Sequence, residues 1–520
     1  MIHDIEYLST LASVKQLSFR YPKKEIVRIW ESILLCQFHD CLPGSSIRMC
    51  YDDSDKLYAE VFAVGRKLLS DALLALGFVD IESSNLNQTS QGLVAINTLP
   101  WPRTELVKLP SSDYALVKGA SGAIKVEKLP TTSTASVTAR EIKKGIFELS
   151  NDQYKLEIEN GAIISLIDLT ANRQVIADGG RANQMVIFDD KPLYRQAWDV
   201  EVFHLTSRQE LPGGATEIAE QCLHKASVVT KTKISDKSWV KSTISLSTST
   251  KGAGSVIEVD TEVEWHEDMK FLKVEFDVNV SNTVASYETQ YGIVKRPTHY
   301  NTAWDMAKFE VCCHKWADLS ENGYGVSILN DSKYGFATCG SLMRLSLLRS
   351  PKAPDAHADM GKSTSITFNV SVGELSNISG RHHIRYAIFP HTGSLDTRTI
   401  HAAYNFNNPM QLYLNPGKSS LDDISITGDP SVILDGMKRG EDDEDVSQGT
   451  LKKRTGQSII LRVFESLGGQ AHGAIRAKLQ VKEVWKCNVL EDDQELLTFQ
   501  NGEVKFTLRS FEVATFRLQL

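Results

Sequence analysis

The chain has 520 residues, 42% of them hydrophobic and 23% charged, with a formal net charge of −8 at pH 7. That length supports two or more domains with their own cores, and the acidic balance argues against a nucleic-acid partner, which requires a concentrated basic surface. No run approaches the roughly 18 apolar residues of a membrane span, and the opening Met1-Ile2-His3-Asp4-Ile5-Glu6 is not a secretory signal, so a soluble intracellular chain is expected. Eight cysteines without a CxxC spacing point to reduced thiols packed as small hydrophobes, with no disulfide framework or zinc ribbon.

The first eighty or so residues read as helical. Pro22 suits a first helical turn, where its missing N–H costs nothing. After it Ile26, Trp30, Ile33, Leu34 and Phe38 fall on one face at helical spacing. The pattern breaks at Leu42-Pro43-Gly44-Ser45-Ser46. A further helix is expected to start near Asp52-Asp53-Ser54, whose side chains cap free N–H groups. Its broad stripe, from Leu57 and Val61 through Leu68, Leu69, Ala72 and Leu76, implies burial in a helical bundle.

Residues 82–91, rich in Ser, Asn and Gln, read as linker. From Leu93 the period becomes two. Ile257, Val259, Thr261, Val263 and Trp265 alternate with carboxylates, and Leu272, Val274, Phe276, Val278 and Val280 alternate again. Joined by His266-Glu267-Asp268, the two runs read as an antiparallel hairpin with one wet face. Asn160-Gly161, between Tyr154-Leu156-Ile158 and Ile163-Ser165-Ile167, is a second hairpin signal. The expected fold is α+β and multidomain: a helical middle domain over 1–80, a linker over 81–91, β-sandwich over 92–400 and a C-terminal β domain over 401–520. The run Glu441-Asp442-Asp443-Glu444-Asp445 lacks the spaced oxygens and turn glycine of a calcium loop, and reads as a solvated loop between strands.

Chemistry concentrates at Gln37-Phe38-His39-Asp40-Cys41-Leu42-Pro43-Gly44-Ser45-Ser46. Neutral imidazole is a common zinc ligand, but a lone His at a helix end is more often a hydrogen-bonded structural residue. The surrounding stretch, from Trp30 through Leu34-Leu35-Cys36-Gln37-Phe38-His39-Asp40 to Tyr51, resembles the middle domain of class II α-mannosidases, glycoside hydrolase family 38. A longer block is similar to the same family: Gln290-Tyr291-Gly292, Lys295-Arg296-Pro297-Thr298-His299-Tyr300-Asn301-Thr302-Ala303-Trp304-Asp305, His314-Lys315-Trp316-Ala317-Asp318 and Leu345-Ser346-Leu347-Leu348-Arg349-Ser350-Pro351. Smaller echoes lie at Asp190-Lys191-Pro192-Leu193-Tyr194 through Trp198-Asp199, and at Leu461-Arg462 through Gly468-Gly469. The similarity spans essentially the whole chain and is strongest to the cytosolic and vacuolar branch.

This resemblance implies zinc-dependent, retaining hydrolysis of α-mannosides in oligosaccharides or N-glycans. It makes His39 the late zinc ligand and Asp40 a contact to sugar hydroxyls. Arg296, His299, Trp304 and Asp305 become candidates for substrate binding, though most of that block builds strands and turns. The first two zinc ligands, the nucleophile and the acid/base belong to an N-terminal catalytic barrel with no counterpart here. No catalytic residue and only an incomplete zinc site are therefore expected in this chain, which would be inactive without the barrel as partner. The resemblance also allows a homo-oligomer, and places the protein in the cytoplasm or vacuole. A different class of reading is a non-catalytic carbohydrate-binding or scaffold module derived from such an enzyme; a third is a split enzyme whose barrel is a separate polypeptide. Residues 362–380, Ser/Thr/Asn-rich and unlike either flank, depart from the family pattern and read as a loop insertion or a retained short intron.

Overall fold

The computed structural model describes residues 1–81, 92–111, 113–128, 137–248, 256–351, 380–417, 419–451 and 453–520. The linker segment 82–91 and nearly all of the 362–380 insertion lie outside the described residues. The chain forms two compact units, neither continuous in sequence: one of residues 1–36, 55–129 and 409–520, the other of residues 37–54 and 130–408. Helices come first and antiparallel sheets follow, as the change of period predicts.

The first unit carries helices α1 (Ile2–Lys15) and α2 (Lys23–Cys36) and most of α3 (Arg48–Ala75). Pro22 stands just before α2, and its carbonyl accepts the Ile26 N–H at 3.1 Å. The buried line of α2 is Ile26, Ile29 and Cys36, with Ile33 packed beside it. Trp30, Leu34 and Phe38, expected on that line, are exposed instead, and the helix ends before Phe38. Helix α3 starts at Arg48, four residues before the acidic cap expected at Asp52.

The stripe of α3 is buried in two places: Val61 and Leu68 pack with Ile5 of α1 and Ile26 and Ile29 of α2, as expected of a helical bundle. Ala72, Leu73 and Leu76 share one core with Tyr7, Leu8 and Leu11 of α1 and with Ile459, Leu461, Phe516 and Leu518 of the C-terminal strands. Those strands form a five-stranded and a three-stranded antiparallel sheet. Helices and sheet bury one another because each offers a single apolar face. Tyr7 marks the junction, its hydroxyl donating to the Leu421 carbonyl at 3.4 Å.

The acidic run lies in a loop between strands Val432–Arg439 and Ser458–Glu465, as expected, but it is not simply solvated. Asp443 is fully buried: its carboxylate accepts Arg439 Nε at 3.0 Å, the Ser458 N–H at 2.8 Å and the Ser458 hydroxyl at 2.6 Å. Asp442 pairs with Arg517 at 2.8 Å and Arg454 at 3.1 Å, and Asp445 with Arg439 at 2.7 Å. Glu441 pairs with Lys23 and with Lys438 at 2.5 Å. This is an ion-pair network in which Arg439 and Arg517 come from strands and Arg454 from the loop itself.

In the second unit, an eleven-stranded and a nine-stranded antiparallel sheet enclose one large core. The Asn160-Gly161 turn is formed as expected, with φ of 53° and 85° at its two residues, joining Tyr154–Glu159 to Ala162–Asp168. The expected hairpin around His266 is not formed. Strand Ile257–Glu264 pairs with Trp239–Ser247 and Arg381–Thr392 in one sheet. Strand Lys270–Asp277 pairs with Ala182–Asp189 and Leu342–Arg349 in the other. Residues 266–269, with Met269 at φ 52°, carry the chain across the sandwich. Both apolar faces point inward, so they meet through the core and not edge to edge.

Candidate functional site

The residues after α2 fold into a tight turn. The Phe38 carbonyl accepts the N–H groups of Cys41 (2.8 Å) and Leu42 (2.9 Å), and Gly44 takes the left-handed conformation at φ 85°. The Asp40 carbonyl collects the Ser46 hydroxyl at 2.6 Å, the Ser45 N–H and hydroxyl each at 3.2 Å, and the Tyr51 hydroxyl at 3.4 Å. Tyr51, on the first turn of α3, thus clamps the turn, and burial pushes its phenol up to about 12. Nothing in local periodicity marks that role; only the hydroxyl's return to a turn eleven residues back reveals it.

What the clamp presents is the His39–Asp40 pair. Nε2 of His39 lies 3.4 Å from Asp40 Oδ2, and the imidazole is 74% exposed. Its ring leans on Phe38, centroids 4.4 Å apart. The backbone is held while the imidazole and carboxylate stay exposed. Among the described residues, no group of three or more His, Cys, Asp or Glu side chains could hold a metal ion. Stable zinc sites use three or four protein ligands, so these residues do not by themselves fit zinc.

The second candidate group is one short segment. Arg296 lies on the strand Gly292–Pro297, opposite Ala285 and half-buried. Thr302 caps helix α4 (Ala303–Met306), its hydroxyl accepting the Asp305 N–H at 3.1 Å, while Asp305 accepts the Thr302 N–H at 3.1 Å and its hydroxyl at 2.8 Å. This reciprocal capping box occupies the Asp305 carboxylate. His299 Nδ1 stands 3.6 Å from it. Trp304, by contrast, is 80% exposed. The structure therefore gathers His299, Trp304 and Asp305, with Asp305 and Thr302 shaping the turn and Trp304 displayed by it.

Three family descriptions match the chain: "Alpha mannosidase middle domain" over residues 1–76, "Glycosyl hydrolases family 38 C-terminal domain" over 149–357, and "Glycosyl hydrolases family 38 C-terminal beta sandwich domain" over 431–516. The chain is 40% identical to an alpha-mannosidase of Saccharomyces cerevisiae over 99% of its own length and 46% of that protein. It is 35% identical to human alpha-mannosidase 2C1 over 100% of its own length and 48% of that protein. The chain thus spans about half the length of the curated relatives it matches. Among solved structures, an alpha-mannosidase from Enterococcus faecalis superposes with a TM-score of 0.71 at 13% identity, covering 99% of this chain and 66% of that one, which is a likeness of fold.

Proposed function

Because the chain belongs to glycoside hydrolase family 38, carrying its middle and C-terminal domains, we propose that it is the C-terminal portion of a retaining, zinc-dependent α-mannosidase. The substrate in this reading is α-linked mannose in oligosaccharides or N-glycans, met in the cytoplasm or vacuole. The observation that carries it is the clamped turn holding an exposed His39 beside Asp40.

In this reading His39 contributes one ligand to zinc, and the remaining ligands come from a catalytic barrel outside these residues. Asp40 accepts hydrogen bonds from sugar hydroxyls, a task that suits a half-exposed carboxylate with spare lone pairs. Retaining hydrolysis also needs two carboxyl groups roughly 5–5.5 Å apart, and these are assigned to the barrel. The 520-residue chain then turns over no mannoside alone. Assaying the purified chain with p-nitrophenyl α-mannoside tests this: no release of nitrophenol is expected, and zinc-dependent turnover would overturn the division of labour. Activity that appears on adding a barrel polypeptide would support it.

A further inference from the structure

Two loops of the second unit end in exposed aromatic side chains while their bases are tied into buried charge. Residues 190–199 form the first. Asp190, 1% exposed, accepts Arg349 through Nε at 2.7 Å and Nη2 at 3.1 Å. The same guanidinium donates to the carbonyls of Gln196 at 2.9 Å and Asp199 at 2.6 Å, so one side chain closes both ends of the loop. Arg195 is held at φ 48°, and its carbonyl accepts the N–H groups of Trp198 and Asp199. Gln196 and Ala197 point inward. Tyr194 and Trp198 point outward, 75% and 57% exposed.

The second loop is the Trp304 segment. The buried ring of His204 sits 5.1 Å from Phe188, on the strand before the first loop, and 5.9 Å from Phe309, which follows the Trp304 helix. Close by, fully buried Lys273 pairs with Glu310 at 2.6 Å. A loop held this tightly, with a non-glycine residue in the left-handed region, spends stability to fix two aromatic rings in water. That is the pattern of a pre-organised recognition surface.

We propose that Tyr194 and Trp198, displayed on this one loop, form a platform for a pyranose ring of an oligosaccharide. A pyranose carries hydroxyls at its rim and C–H groups on its faces, so a flat exposed ring buries the apolar face and leaves the rim to polar neighbours. The Arg195 guanidinium carbon lies over one face of the Trp198 ring, 5.7 Å from its centroid, so the sugar takes the opposite face. The α-mannosidase reading contributes only the identity of the sugar; the platform stands on the loop geometry.

The test is calorimetric titration of the full 520-residue chain with α-linked mannotriose, and with cellobiose as a control pyranose. Trp198→Ala and Tyr194→Ala are each expected to weaken mannotriose binding by about tenfold. Trp198→Phe, which keeps a smaller ring, weakens it less than Trp198→Ala, and Leu490→Ala, a solvent-exposed change in the other unit, leaves it near the parent value. Equal loss for cellobiose and mannotriose supports the platform but counts against mannose as its sugar. Unchanged mannotriose binding in both alanine variants overturns the platform while leaving the α-mannosidase reading intact. Absence of binding to either sugar also overturns it, and assigns the aromatics to a protein contact.

Discussion

Replacing Asp443 by alanine is expected to destabilise the first unit by about 3–5 kcal/mol, the cost of breaking a buried ion pair from one side. The variant leaves the buried Arg439 guanidinium without its main carboxylate and strips the Ser458 N–H and hydroxyl of their acceptor. Asp445 stays bonded to Arg439 but is half-exposed and compensates only in part. Burial itself pushes the Asp443 carboxyl up, and its hydrogen bonds from Ser458 and the Arg439 charge pull the other way. A double replacement, Asp443→Ala with Arg439→Met, removes charge and countercharge together and is expected to recover much of the loss. Urea unfolding followed by tryptophan fluorescence distinguishes the two. A loss below about 1 kcal/mol for Asp443→Ala would mean the network is solvated after all.

Acid is expected to weaken the second unit well above the range where carboxylates protonate. His204 is 3% exposed, and burial with the nearby Lys273 charge lowers its imidazole to about 4. Burial lowers His382 to about 3, helped by Lys333 and His266. Both groups have folded values below the unfolded value near 6.5, so the unfolded chain binds their protons first. Their contribution is complete above pH 6.5 and falls away as pH drops toward 4, by about 2 kcal/mol for each His at pH 5. The carboxyls of Asp190 and Asp331, pushed up mainly by burial, work in the opposite direction at lower pH. Denaturant midpoints measured from pH 7 to 5 check the slope. His204→Asn, which keeps a donor for the Glu201 carbonyl accepting Nδ1 at 2.7 Å, is expected to remove the His204 share, about 2 kcal/mol between pH 7 and 5. An unchanged slope in that variant would rule out His204 as a source.

The alternation at 257–264 and 272–280 reveals which faces are buried, because a strand's side chains change sides at every residue. It does not reveal which strand lies beside which. Residues 266–269 therefore pass for a hairpin turn until the pairing partners, tens of residues away, are visible. The same distance hides the partners of Asp443, since Arg517 and Ser458 come from strands the local sequence cannot see. The stripe of α3 shows that the helix is buried; Val61 and Leu68 are covered by α1 and α2, as a helical bundle implies, while Ala72, Leu73 and Leu76 are covered by strands from the chain's other end.

At the candidate site, His39 and Asp40 are picked out by family resemblance, since a His-Asp pair in a polar turn carries little information alone. The clamp by Tyr51 and the closure of the 190–199 loop by Arg349 depend on tertiary contacts. Aromatic residues in a sequence usually read as core, so the outward display of Tyr194, Trp198 and Trp304 becomes legible only in three dimensions.

In the proposed function, His39 reaches the reacting centre of an α-mannosidase whose barrel lies outside these residues. The most direct measurement mixes the chain with a family 38 barrel polypeptide and follows mannoside hydrolysis and bound zinc, with His39 intact and with His39→Ala. Activity and stoichiometric zinc are expected only with His39 present, with a drop of at least about 100-fold in the variant. Equal activity and zinc content with and without His39, or turnover by the chain alone, would contradict the account.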